Sequence, residues 1–128
     1  APKPVGAYPH ARRVGSFLYL SGIGPRDPET DEVPGNQHDE SGGVVKYDIE
    51  AQTRSVIRNL EQVLEEAGSS ADRLVDVTVF LTDMKNDFPA FNRIWAEHFG
   101  ENAPARTTVG VSSLPTPIAI EFKAVAEV

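Results

Sequence analysis

The chain has 128 residues, enough for one domain with an apolar core of its own. It contains no cysteine, which excludes disulfides, thiolate nucleophiles and zinc-thiolate sites, and its three histidines, His10, His38 and His98, lack ligand-like spacing. A formal charge of −7 with no basic run argues against nucleic acid, whose phosphates need a positive surface, but leaves room for a small anion gripped by one local arginine.

No apolar run is long enough to span a membrane and the amino terminus lacks signal-peptide architecture, so a soluble, cytoplasmic protein is expected. Gly15-Ser16 reads as a hairpin turn into a strand over 17–20, Phe17-Leu-Tyr-Leu20, which is apolar on both faces and should be covered on both. Residues 24–43 then hold three prolines, four glycines and six acidic residues, with no amphipathic period. They predict an extended acidic loop over 24–47 within a single domain, 1–128.

The spacing of Val56, Ile57, Leu60, Val63, Leu64 and Ala67 predicts a helix over 48–67, capped by Asp48 and ended by Gly68. A turn over 69–72 leads into a strand over 73–82 with Val75, Val77, Val79 and Leu81 on one face. A second helix is predicted over 88–99, with Pro89 in its first turn and Phe88, Phe91, Trp95 and Phe99 as a core stripe.

Two strands close the chain, over 105–111 and 118–128, joined through Leu114-Pro-Thr-Pro117. Alternation sets Arg106 and Thr108 on one side of the first, and Glu121 and Lys123 away from Ile120, Phe122 and Ala124 in the second. The expectation is that Arg106 and Glu121 look into one cavity, where a guanidinium could grip a carboxylate and a carboxylate could handle a proton. A solvated or cross-strand pair is the alternative that spacing alone leaves open. The element order predicts an α+β domain with both helices on one face of a mixed sheet, the other face being left for another subunit.

Ala103-Pro-Ala-Arg-Thr-Thr-Val109, Leu114-Pro115 and Ile120-Glu-Phe-Lys-Ala-Val-Ala126 resemble the carboxy-terminal signature of the RidA/YjgF family of imine and enamine deaminases. Tyr8, Ser21 and Gly22, and Asn92 within Phe91-Asn-Arg-Ile-Trp95, match family positions as well, while the acidic loop looks longer than the family pattern. The resemblance implies a chorismate-mutase-like fold, trimeric or paired into hexamers, with sites in clefts between subunits. It also implies cofactor-free hydrolysis, with Arg106 holding a carboxylate, Glu121 moving protons, and Tyr8, Ser21, Gly22 and Asn92 lining the pocket. With the extended acidic loop and the Ser21-Gly-Ile-Gly-Pro-Arg26 segment, the resemblance implies a member that acts on 2-aminomuconate, giving the 2-oxo diacid and ammonia. The alternatives are a generalist that clears 2-imino acids and a trimer that binds small carboxylates without turnover. A diacid needs a second cation, and Arg26, just beyond Ser21 and Gly22, is the expected one; a loop arginine paired with Asp27 or Glu29 is the alternative.

Overall fold

The computed structural model describes residue 6 and residues 8–128. Strands β1 (Ala11–Val14) and β2 (Phe17–Leu20) form the expected hairpin, turning at Gly15, whose φ of 60° suits a residue without a Cβ. Strands β3 (Gln37–His38) and β4 (Val44–Lys46) follow, then helix α1 (Ile49–Glu66), β5 (Leu74–Leu81), helix α2 (Met84–Phe99), β6 (Ala105–Gly110) and β7 (Ile120–Glu127). The main sheet runs β1-β2-β7-β5-β6, and β3 pairs with β4 alone. All neighbours in the main sheet are antiparallel except β5 and β6, whose parallel pairing uses α2 as its crossover. The two helices packed on this mixed sheet give the predicted α+β fold.

The core lies between the sheet and the helices. From the sheet come Leu18, Leu20, Val77, Val79, Leu81, Ile120, Phe122, Ala124 and Ala126; from the helices come Val56, Ile57, Leu60, Leu64, Phe91, Ile94 and Trp95. Asp48 caps α1, its carboxylate accepting from the amides of Glu50 at 2.9 Å and Ala51 at 3.2 Å.

Three expectations need correction. The acidic segment is not wholly irregular, because Asp39 accepts from the amides of Ser41 and Gly43 and so closes the turn between β3 and β4. Val75 leaves the Val77, Val79, Leu81 row: the β5 register shifts between Leu74 and Asp76, so Leu74 takes the buried position and Val75 is 38% exposed. Helix α2 starts four residues before Phe88, because Asp83 caps it by accepting from the Asn86 amide. Its first turn, Met84-Lys-Asn-Asp87, is mostly polar and shows no apolar period, and Pro89 therefore lies inside the helix. Within one chain β2 is covered on one face: Leu18 and Leu20 are buried, whereas Phe17 and Tyr19, on the face left for another subunit, are 39% and 47% exposed.

Candidate functional site

Arg106 stands on β6 in register with Val77 of β5, and paired residues share a face of the sheet. Its side chain therefore lies on the helix side. There its guanidinium carbon sits 5.0 Å from the ring centre of Trp95, 5.2 Å from that of Phe91 and 5.9 Å from that of Phe88. Ring faces are negative, so they hold a cation without neutralising it. Among the described residues no carboxylate forms an ion pair with Arg106. Burial draws its pKa below the ordinary arginine value, yet a guanidinium stays charged. A half-buried fork of N–H donors without an acidic partner is suited to a carboxylate brought in by a ligand. Two residues on, the Thr108 hydroxyl is buried without a partner among the described residues.

Glu121 belongs to a different surface. It pairs with Phe80, whereas Ala124, three residues later, pairs with Val77 and thus shares the face of Arg106. An odd separation along a strand reverses the side chain, so Glu121 and Arg106 of one chain lie on opposite faces of the sheet. Within one chain the two groups therefore do not look into one cavity. The alternation within each strand is as read; the register between β5, β6 and β7 sets the parity, and that is not written in either strand alone.

Beside Glu121 runs the segment after β2. Ile23 and Phe122 exchange backbone hydrogen bonds, Ile23 N donating to Phe122 O at 2.7 Å and Phe122 N to Ile23 O at 2.9 Å. This brings Gly22 against the carboxylate: a Cβ there would lie 2.9 Å from the Glu121 Cδ and 3.0 Å from each carboxylate oxygen. The position accepts glycine for that reason. Burial raises the Glu121 carboxyl above its ordinary value, which keeps a proton within reach nearer neutrality. On the same face, Lys123 donates from Nζ to the Leu20 carbonyl at 2.8 Å.

The other expected residues fall in several places. The Ser21 hydroxyl donates to the Pro9 carbonyl at 2.7 Å and its amide to His10 O at 2.9 Å, which ties the residue before Gly22 to the start of β1. Tyr8 is 43% exposed. Asn92 is exposed on α2, four residues after Phe88 and three before Trp95, so it shares the flank that carries the arginine cradle. Arg26 sits against α1, its carbonyl accepting from Asn59 Nδ2 at 2.8 Å, and its Nε pairs with Asp31 at 3.1 Å. That partner is neither Asp27 nor Glu29.

Phe88, Phe91 and Trp95 were expected to serve the core alone. A stripe of aromatic residues opposite a strand that carries one arginine was the available signal for their second contact. Among the described residues no cluster of His, Cys, Asp or Glu could hold a metal ion, and no helix is long and apolar enough to cross a membrane.

The sequence profile of the endoribonuclease L-PSP family matches residues 1–128. A RutC family protein of Pyrococcus abyssi is 46% identical over 126 residues, 98% of this chain and 90% of its own length. The solved structure of RidA from an Antarctic Psychrobacter species superposes with a TM-score of 0.85 at 32% identity, covering 100% of this chain and 94% of that one. TdcF of Escherichia coli, solved with bound serine, superposes with a TM-score of 0.85 at 30% identity, covering 100% of this chain and 93% of that one.

Proposed function

This chain belongs to the endoribonuclease L-PSP family, the RidA/YjgF group, and we propose that it is a cofactor-free hydrolase that releases ammonia from imines and enamines of carboxylic acids. The observation that carries this reading is the pairing of two unusual groups: an arginine cradled by aromatic rings without an acidic partner, and a half-buried Glu121, its pKa raised by desolvation, backed by a glycine. Serine, the ligand named for TdcF, is a small molecule with a carboxylate, as this site would require. Because one chain separates Arg106 from Glu121 across its sheet, a complete site takes the arginine from one subunit and the glutamate from the next, in a trimer or a pair of trimers.

In the reaction, Arg106 holds the substrate carboxylate by two parallel hydrogen bonds and so fixes the adjacent C=N carbon. An enamine first moves a proton from nitrogen to carbon to become the imine. Glu121 takes a proton from water as the water oxygen bonds to that carbon, and the C=N electron pair passes to nitrogen, which takes up a proton from solvent. The protonated Glu121 then gives its proton to the amine. The C–N bond breaks, ammonia leaves, and the hydroxyl proton is lost as C=O forms. Gly22 leaves space beside the carboxylate, while Tyr8, Ser21 and Asn92 line the cleft.

Within this class the reading is a dicarboxylic substrate, 2-aminomuconate, converted to its 2-oxo diacid. A generalist acting on 2-imino acids such as 2-iminobutyrate shares every step and is favoured by the Rid relatives. Ribonuclease action, the activity in the family's name, suits poorly a chain of net charge −7. The test is ammonia release from 2-aminomuconate and 2-iminobutyrate side by side. Turnover of either supports the deaminase, their ratio assigns the substrate, and saturable binding with no ammonia from either overturns it.

A further inference from the structure

We propose that Lys123 is a specificity residue that receives a second carboxylate, distal to the one held by Arg106; the proposal rests on the deaminase site described above. Residues Glu121 and Lys123 are two apart on β7, paired with Phe80 and Thr78 of β5, so they share one face. Their backbones are about 7 Å apart along the strand, yet they form no ion pair, and no other carboxylate among the described residues pairs with Lys123.

One contact fixes the ammonium in place: it donates to the carbonyl of Leu20, the residue before Ser21-Gly22. The Gly22 backbone in turn abuts the Glu121 carboxylate. The cation is therefore anchored at the same segment that backs the proton-handling group. An ammonium has three donors, and the carbonyl takes one. In a chain of net charge −7, an acidic ligand depends on local cations for its attraction.

The geometry selects a class of ligand. Arg106 of one subunit holds the carboxylate next to the imine, and the imine carbon must lie at Glu121 of the other. A group roughly two to four carbons further along the substrate then reaches the neighbourhood of Lys123, given the strand spacing. Arg26, the cation expected for this role, is engaged by Asp31 and packs against α1.

The test uses stable oxo acids, so that binding is read apart from turnover. Affinities of 2-oxoglutarate and 2-oxobutyrate are measured by calorimetry on the assembled protein and on Lys123→Met, Lys123→Arg, Arg26→Ala and Arg106→Ala. The expected result is that wild type prefers the dicarboxylate, that Lys123→Met weakens 2-oxoglutarate by about tenfold and leaves 2-oxobutyrate within twofold, and that Lys123→Arg restores most of the loss. If Lys123→Met does not fold, Lys123→Gln takes its place, with thermal melting as the check. Equal weakening of both acids, no change in either, or loss of the preference in Arg26→Ala instead overturns the Lys123 assignment. If Arg106→Ala leaves both affinities intact, or wild type binds neither acid, the failure lies in the underlying site reading.

Discussion

Arg106 and Glu121 are each held in a state that an isolated side chain would not choose, and their chemistry follows from that. The aromatic cradle fits a planar guanidinium, and lysine would present a point charge where two parallel hydrogen bonds are needed. Arg106→Lys and Arg106→Ala are expected to lower kcat/KM for ammonia release by ~100-fold or more, about 3 kcal/mol of transition-state binding. Near-normal kinetics in a folded Arg106→Lys oligomer would remove the clamp. Glu121→Gln keeps the shape and loses the base, so kcat should drop by ~100-fold with KM within a few-fold. Desolvation raises the pKa of the half-buried Glu121 carboxyl, and the base must be ionised to act, so the acid limb of kcat/KM should lie above the normal glutamate range. The same shift has a consequence for stability. The folded chain holds this proton more tightly than the unfolded one, so the group's contribution is fully present below the unfolded pKa and is lost as pH rises through the folded one. Glu121→Gln should therefore melt higher than wild type at pH 7, with a smaller gain at pH 4. A variant that is less stable at pH 7 would contradict the assigned burial.

Among the elements, α1 joins the two halves of the site's support through side chains that an apolar period passes over. Gln52, Ser55 and Asn59 are at most 2% exposed, yet each reaches out of the helix. Gln52 accepts from the Ala119 amide and donates to Asn36, each at 2.8 Å, and Asn36 in turn donates to the Pro117 carbonyl at 2.8 Å. Ser55 Oγ donates to Pro25 O at 2.7 Å, and Asn59 Nδ2 donates to Gly24 O at 3.0 Å. The stripe thus anchors the segment after Gly22 and, ahead of β7, Ala119 directly and Pro117 through Asn36. Gln52→Leu leaves the Ala119 amide and the Asn36 Oδ1 without these partners, and should destabilise by about 2–3 kcal/mol in urea unfolding; a loss below ~1 kcal/mol would mean that water replaces the glutamine. Both helices, β2, β5 and β7 were legible in the sequence because apolar period decides them, and Asp48 was legible as a cap because capping is local. The α1 stripe was not, since Gln, Ser and Asn on a helix ordinarily mark its wet side. Nor was the β5 bulge, which depends on a pairing partner, or the Asp83 cap, whose helix begins in polar residues. Among the candidate site residues, Arg106 and Glu121 could be proposed from their residue types and strand alternation, whereas their separation across the sheet depends on strand register.

At the scale of the molecule, that separation and the uncovered sheet face call for the same solution. Phe17 and Tyr19 on β2 and Val75 on β5 stay 38–47% exposed in one chain, an apolar surface of the sort that a second subunit covers. Burying this surface would bring the glutamate side of one sheet into a neighbour's reach, where an arginine from that neighbour could complete the site. Two inactive variants separate this arrangement from one in which each chain supplies both groups. Arg106→Ala and Glu121→Gln, denatured, mixed one to one and refolded together, would form oligomers in which some interfaces combine the intact arginine of one variant with the intact glutamate of the other. Random assembly places both intact groups at about a quarter of the interfaces, so the mixture should recover about a quarter of wild-type turnover. Each variant refolded alone should stay inactive. If both groups acted from one chain, no mixed oligomer would contain a complete site, and a properly assembled mixture without activity would end the intersubunit reading.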